Sequence, residues 1–172
     1  AAYAGIPVTH RGISTLFTVV SGSEDPSKPE STVPWNVLAR TGGTLVILMG
    51  WTSLTSILET LNNEGMPSDT LVELIQWGTW KKQRTVSGNI SNIIAKGRSA
   101  GLSAPIIAVV GPVASLKKQI EWFGAKDVKG KRVLITRSRT QVSKLRKRLE
   151  EIGADPIELP SIEIAPLEDY TD

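Results

Sequence analysis

The apolar run at residues 44–50 constrains the fold most strongly. Its sequence, Thr-Leu-Val-Ile-Leu-Met-Gly, has no polar residue between the threonine and the glycine, which is typical of a central strand buried on both faces. An amphipathic helix is predicted directly after it, over Leu54–Asn63, with Ser53 as its cap and Gly65 as its end. Four apolar residues share one face of that helix: Leu54, Ile57, Leu58 and Leu61. A strand followed by such a helix predicts an α/β fold.

Turn residues divide much of the remaining chain into short elements. Branched apolar residues between these turns predict further strands at 16–20, 71–76, 84–87 and 105–111. The turn Trp77-Gly78-Thr79 predicts that residues 84–87 pair antiparallel with the strand before them. Short helices are predicted at 35–40 and from a cap at Asn89 to about Arg98, with Gly101 ending the second one.

A change in composition predicts a domain boundary near residue 124. Residues 125–131 are polar, charged and rich in lysine, which is typical of a linker. We therefore expect a first domain at 1–124, a linker at 125–131 and a second domain at 132–172. Within the second domain, a strand, a helix and a strand are predicted at 132–136, 141–152 and 156–159. Such a unit cannot bury its own apolar face, so we expect the second domain to be incomplete.

Composition excludes several kinds of site. The chain has no cysteine and one histidine, so disulfides and thiolate metal sites are excluded and no metal site is expected. The longest apolar run is far shorter than the roughly 20 residues that span a bilayer, so no membrane partner is expected. The absence of cysteine favours a cytoplasmic protein.

The charge is unevenly distributed along the second domain. Residues 126–149 carry ten basic residues and one acidic residue, whereas residues 150–172 carry acidic residues and no basic ones. A solvated helix followed by an acidic loop explains this pattern. No aromatic residue interrupts the basic stretch, so nucleic acid is not expected as a partner. A non-catalytic dimerisation or binding module that docks through 126–149 remains the alternative.

The segment from Gly5 to Arg11 has the composition of a loop that faces a ligand. Gly5 lets the backbone come close to a bound molecule, Pro7 fixes the chain direction, and Arg11 offers a planar donor for carboxylates. Thr9 and His10 add a hydroxyl and an imidazole group. A connecting loop with a surface arginine and a structurally bonded histidine fits the same residues, so both interpretations stay open.

Four strings in order carry a resemblance to a known family. They lie at residues 4–12, 44–50, 76–86 and 105–111, and read AGIPVTHRG, TLVILMG, QWGT with QRTV, and PIIAVVG. In spacing they resemble the uroporphyrinogen-III C-methyltransferases over about residues 1–123, closed by the pair Trp122-Phe123. The stretch 130–164 resembles the opening of uroporphyrinogen-III synthase. The resemblance implies the C-terminal αβα domain of a class III tetrapyrrole methyltransferase, fused to a truncated strand-helix-strand of a flavodoxin-like synthase domain.

The resemblance also implies a function. Family members transfer two methyl groups from S-adenosyl-L-methionine to uroporphyrinogen III, which yields precorrin-2 for sirohaem and cobalamin and S-adenosyl-L-homocysteine as by-product. A homodimer is implied for the intact enzyme. The residues proposed for proton transfer would precede Ala1, so this stretch alone is expected to be inactive. Another methyltransferase of the same superfamily, acting on a different substrate, is a further possibility that the synthase-like tail argues against.

Individual site residues follow from the motif match. It implies that Met49 and Gly78 contact S-adenosyl-L-methionine, and that Ile106 does so through its main chain. The eight carboxylates of uroporphyrinogen III would be bound by guanidinium and hydroxyl donors. The residues that the resemblance assigns to this role are Thr9, His10 and Arg11. A methionine on an apolar strand is commonly a core residue, and a glycine between strands commonly a turn residue. Arg84 lies in a matching string and could equally hold the hairpin together.

Overall fold

A computed structural model describes residues 1–24, 31–121, 123 and 130–162, with only the backbone described at 139–141. The chain divides into two compact units, Ala1–Trp122 and Phe123–Asp172. Most of the predicted linker at 125–131, and Trp122 of the pair that closes the resemblance, lie outside the described residues. The exact domain limits therefore stay a prediction.

Within the described residues, the first unit contains a five-stranded mixed sheet in the order β1-β2-β5-β3-β4. Strands β1 and β2 run parallel, and the other neighbouring pairs run antiparallel. The predicted central strand lies inside the sheet, between β1 and β5, and the predicted hairpin pairs β3 with β4. The five strands are β1 Phe17–Ser21, β2 Thr44–Leu48, β3 Leu71–Gln76, β4 Arg84–Asn89 and β5 Ile106–Val110.

Three helices cover one face of this sheet: α1 Trp35–Thr41, α2 Leu54–Asn63 and α3 Ile93–Ser99. Their apolar faces form one core with alternate residues of β2, β3 and β5, among them Ile47, Leu74 and Ala108. This alternation is the period of two that a strand imposes on its side chains. The apolar stripe predicted for α2 is buried, as expected.

Less regular structure packs against the opposite face. Ala4 and Ile6 from the first residues, and Val113 from a 3-10 helix at Pro112–Leu116, bury Ile75 and Val109. The short helix α4, Lys117–Ile120, follows. The expected αβα arrangement is thus met on one face by three helices, and the opposite face carries only short helical turns among the residues described. The α/β class is confirmed.

Of the two predicted helix caps, Ser53 is correct in position but makes no side-chain capping bond, and Asn89 is wrong. Ser53 directly precedes α2, but its hydroxyl donates to the carbonyl groups of Gly22 and Gly50 and makes no capping bond. Asn89 is the last residue of β4, and the residue before α3 is Asn92. The Asn92 side chain accepts a bond from the backbone N–H of Asn89. In both places a tertiary or turn contact replaces the local cap.

One ion pair is buried on the face opposite the three helices. The Glu73 side chain of β3 is 1% exposed and lies 2.5 Å from Nζ of Lys117 at the start of α4. The same ammonium group donates to the hydroxyl of Thr85 on β4. The pair ties the short helical segment to the middle of the sheet, where removal of one partner would leave the other buried and uncompensated.

The second unit contains the three predicted elements. Strands β6 Arg132–Ile135 and β7 Asp155–Glu158 run parallel, joined by helix α5, Arg139–Glu151. Within this unit Ile135, Val142 and Ala154 are buried, whereas Leu134 and Ile157 stay exposed on the strands. Arg146 of α5 bonds Glu150 and Glu158, and these two pairs raise its pKa above the ordinary value. This arginine of the basic stretch is therefore satisfied inside its own unit.

Candidate functional site

A cavity of about 890 Å³ opens at one edge of the first unit's sheet. At this edge β2 and β3 end and the antiparallel β5 begins. The lining is mainly apolar and comes from four segments of the chain: Ala1 to Tyr3, Leu48 to Thr52, Ile75 to Gln83 and Ala104 to Ile107. Because strand termini carry the loops that follow them, this edge brings together residues that are distant in sequence.

All three residues assigned to the cofactor by sequence line this cavity: Met49, Gly78 and Ile106. Met49 follows the last residue of β2, Gly78 lies in the loop after β3, and Ile106 is the first residue of β5. The Met49 side chain is 67% exposed. This exposure excludes the core-filler interpretation of Met49, since a core methionine is covered by its neighbours.

The backbone around the cavity is strained. Among the described residues, three residues other than glycine have positive φ: Met49 at 54°, Trp77 at 51° and Thr79 at 74°. All three line the cavity. The left-handed region is uncommon for residues with a Cβ and is an outlier for bulky or β-branched ones. Strain of this kind clusters at ligand-binding sites, where the surrounding structure holds it in place.

Hydrogen bonds hold the strained loop after β3. The backbone N–H of Thr79 donates to Oε1 of Gln83 at 2.8 Å, and Nε2 of Gln83 donates to the carbonyl oxygen of Tyr3 at 3.0 Å. Inside the loop, the N–H of Trp80 donates to the carbonyl of Trp77 at 3.0 Å. One glutamine side chain therefore joins the loop to the first residues of the chain, on the same side of the cavity.

The backbone conformation at position 78 does not require a glycine. Gly78 is absent from the positive-φ glycines of the described chain, and its neighbours Trp77 and Thr79 take that conformation instead. A Cβ at this position would lie 3.4 Å from Cγ2 of Ile75 and 4.0 Å from Oε1 of Gln83, which are ordinary contacts. Neither the backbone conformation at this position nor the packing around it therefore requires a glycine.

Tryptophan rings form much of the cavity wall. The ring centroids of Trp77 and Trp80 are 5.7 Å apart with an angle of 49° between the planes. The ammonium group of Lys82 lies 3.5 Å from the centroid of the Trp77 ring and 5.3 Å from that of Trp80. Trp51 lines the cavity and also packs against Gly97 of α3. The sequence had left the orientation of these rings open.

The segment predicted to bind substrate lies elsewhere on the unit. Its three residues are exposed, and none of them is among the described residues that line the cavity: Thr9, His10 and Arg11. His10 forms an isolated β-bridge with Ser14, which makes the segment a tight, solvent-facing loop. Arg84 donates to the carbonyl of Ala100 at the end of α3. Arg84 thus ties β4 to α3 and stands apart from the cavity.

Sequence reasoning missed most of the cavity lining. Tyr3, Thr79 and Gln83 lie within or beside the strings that carried the family resemblance. Their place in or beside these strings could therefore have marked them as candidate site residues. The hydrogen bonds between them could not be read from the sequence. Pro105, which begins the last string, also lines the cavity. Gln76 positions this neighbourhood, because its buried amide donates to the carbonyl of Ser103 at 2.6 Å.

Two other kinds of site are missing from the described residues. No three histidine, cysteine, aspartate or glutamate side chains come close enough together in the described ranges to hold a metal ion. Nor does any helix in this part of the chain combine the length and apolar composition needed to cross a bilayer.

The sequence of this chain is similar to those of tetrapyrrole methylases and related porphyrin biosynthesis proteins. The family model of tetrapyrrole (corrin/porphyrin) methylases matches residues 1–94. An S-adenosyl-L-methionine-dependent uroporphyrinogen III methyltransferase of Methanosarcina barkeri is 45% identical over 115 residues, which are 67% of this chain and 45% of that protein. The porphyrin biosynthesis protein HemD of Ruminiclostridium josui is 32% identical over 165 residues, 96% of this chain and 32% of that protein.

A solved structure shares the fold over about two thirds of the chain. The crystal structure of uroporphyrin-III-C-methyltransferase from Thermus thermophilus superposes with a TM-score of 0.52 at 30% identity, covering 68% of this chain and 47% of that one. The chain therefore spans about a third to a half of the length of the proteins that it matches.

Proposed function

The chain belongs to the tetrapyrrole (corrin/porphyrin) methylase family, and from this premise we propose that its cavity forms one side of an S-adenosyl-L-methionine site. The protein would act as a uroporphyrinogen-III C-methyltransferase. One observation carries the proposal: Met49, Gly78 and Ile106, far apart in sequence, line one apolar cavity whose backbone is strained at three positions. The similarity to the Methanosarcina barkeri enzyme supports both the donor and the substrate.

The cavity fits the proposed donor in size and in chemistry. Its volume of about 890 Å³ lies within the roughly 300–1,000 Å³ of small-molecule sites. The apolar lining suits a nucleoside and a thioether, and the missing side chain at Gly78 allows a flat ring to touch the backbone. When bound, S-adenosyl-L-methionine supplies a methyl group on a sulfonium centre and leaves as S-adenosyl-L-homocysteine.

The residues of this chain would bind and orient. Met49 projects its exposed thioether side chain at the end of β2, where it can cover the donor and exclude water. Ile106 begins β5 and can offer its main-chain groups. Holding the donor in a fixed direction relative to the attacking ring carbon is the main contribution required of the protein in such a displacement.

The rest of the site is assigned to other parts of the protein. The relatives extend well beyond the matched region, so we assign to this chain one wall of the donor pocket and none of the groups that move the ring proton. We keep Thr9, His10 and Arg11 as the proposed contacts to substrate carboxylates. Their exposure supports this role, because a loop outside the donor cavity can meet a large anionic ring.

The second unit is proposed to begin a uroporphyrinogen-III synthase domain. Its parallel strand-helix-strand arrangement and the 165-residue similarity to the porphyrin biosynthesis protein HemD support this assignment. By the same proposal, the protein serves the sirohaem and cobalamin branch and forms a homodimer. The alternative of a docking module at 126–149 gains no support, since residues 126–129 lie outside the described residues and Arg146 is paired within its unit.

Binding of S-adenosyl-L-homocysteine tests the proposal. Calorimetric titration of the full-length protein should show saturable binding, and the variant Met49→Glu should weaken it strongly because a carboxylate would enter an apolar wall. The matched control is Val37→Glu, which places the same charge at an exposed apolar position of α1 outside the cavity. Absence of binding to the unmodified protein, or equal loss in both variants, would refute the assignment.

A further inference from the structure

Trp77 combines strain with a position in the cavity wall. It directly follows β3, its φ is 51°, and it is one of the residues that line the cavity. A bulky residue pays a conformational penalty in this region, which glycine would avoid. Gly78, the next residue in the chain, is free of that conformation. The side chain at position 77 is therefore kept despite the strain, which points to a role for the indole ring itself.

The Trp77 ring is fixed from one side. The ammonium group of Lys82 lies 3.5 Å from the ring centroid, a cation–π geometry. The neighbouring Trp80 ring, 5.7 Å away, limits rotation of the indole further. Among the described residues, the cavity lining includes Trp77 but not Lys82. Lys82 thus occupies one face of the indole, and the other face is the one we consider for a ligand.

We propose that the indole of Trp77 is a stacking surface for the purine base of the nucleoside donor, with Lys82 as the residue that positions the ring. This inference rests on the proposed function and specifies which side chain recognises the adenine part. A neutral, flat heteroaromatic ring fits an apolar wall made by an indole face, because every base presents a π-face that stacks on aromatic side chains.

The position of Lys82 decides which part of the donor meets this ring. The quadrupole of the Trp77 indole already attracts one cation, the ammonium group of Lys82. A sulfonium centre on the opposite face would place a second positive charge across a thin ring, where the two charges repel each other. A neutral base meets no such repulsion. The charged end of the donor is therefore directed away from Trp77.

The test compares ring-removing and ring-keeping variants in the full-length protein. Trp77→Leu should weaken S-adenosyl-L-homocysteine and adenosine alike by roughly 5- to 140-fold, the range given by aromatic–base stacking. Trp77→Phe should restore most of the affinity, because a phenyl ring still stacks. The control Phe17→Leu removes an exposed aromatic ring from β1, outside the cavity lining, and should change affinity by less than about threefold. Quenching of tryptophan fluorescence by adenosine should decrease in Trp77→Phe and keep its full amplitude in Phe17→Leu.

The outcomes separate this inference from the proposed function. If the unmodified protein binds neither S-adenosyl-L-homocysteine nor adenosine, the proposed function fails. If it binds both and Trp77→Leu retains full affinity, or if Phe17→Leu causes an equal loss, the stacking role is overturned and the proposed function stands. A loss confined to S-adenosyl-L-methionine would show that the ring faces the sulfonium centre, which also overturns the inference. Circular dichroism of each variant verifies folding, and Trp77→Phe keeps the test decisive if Trp77→Leu unfolds.

Discussion

Replacing Met49 with glycine separates a ligand contact from a structural role. Met49 stands at a bend after β2 with a left-handed backbone and a side chain that is 67% exposed. Ile47, two residues earlier and within β2, is 1% exposed and belongs to the core. The two positions are close in the chain and differ in burial, so Ile47→Ala is the matched control for a purely structural loss.

The free energy of unfolding should barely change in Met49→Gly. Relief of the left-handed conformation gains about 1–2 kcal/mol, since a residue with a Cβ pays that amount there. The added chain entropy of glycine opposes this by about 0.5–1 kcal/mol. The buried third of the methionine side chain contributes about 0.5–1 kcal/mol, a third of its full burial value. The sum lies within about 1 kcal/mol of zero, whereas Ile47→Ala should destabilise by about 2–5 kcal/mol.

Ligand affinity should respond in the opposite order. If a bound donor covers the exposed two-thirds of the Met49 side chain, its removal costs about 1–2 kcal/mol, or roughly a 5- to 30-fold rise in Kd for S-adenosyl-L-homocysteine. Urea denaturation measures stability, and calorimetric titration measures affinity. A stability loss in Met49→Gly as large as that of Ile47→Ala would make Met49 a core residue. An unchanged Kd would remove it from the donor site.

Three further variants test separate features. Gly78→Ala should keep the free energy of unfolding within about 1 kcal/mol, because its Cβ meets only ordinary contacts, but it should weaken adenosine binding about tenfold in a titration. Lys117→Met should destabilise the protein by about 3–5 kcal/mol in urea, and adding Glu73→Leu should recover most of that loss, because the buried carboxylate no longer lacks a partner. Arg11→Ala should leave the Kd for S-adenosyl-L-homocysteine within about twofold, because Arg11 is exposed and outside the cavity; a larger change would link this loop to the donor.

The strands were predictable because their signal is local and repeated. The run at 44–50 and the branched apolar residues in 71–76 both follow from burial on a sheet, and β2, β3 and β5 form where expected. The side-chain capping bonds predicted for Ser53 and Asn89 do not form, and the reason is the opposite one: the partner of a polar side chain is not set locally. A hydroxyl such as that of Ser53 finds an acceptor wherever the fold brings one, and here the carbonyl of Gly22, 31 residues away, is that acceptor. Local sequence does not contain such a partner.

The candidate site was predictable only as a set of separate positions. The family strings identified Met49, Gly78 and Ile106, but the sheet order brings them to one edge, because β5 runs antiparallel to both β2 and β3. No periodicity in the sequence specifies that order. The Thr9 to Arg11 segment belongs to the same resemblance and yet lies outside the cavity, so proximity within a motif does not imply proximity in the fold.

The strain at the cavity implies that side chains, and not only the backbone path, are needed there. Three left-handed residues with a Cβ would together cost about 3–6 kcal/mol, which is large against a net stability of about 5–15 kcal/mol. Glycine would adopt the same backbone conformation without that cost. Gly78 lies between two of these positions and does not itself take the left-handed conformation. A loop selected only for its turn would carry glycine at 77 and 79. The three residues that carry the thioether, indole and hydroxyl groups, Met49, Trp77 and Thr79, all line the cavity in which a donor is proposed to bind, so we expect their side chains to matter there.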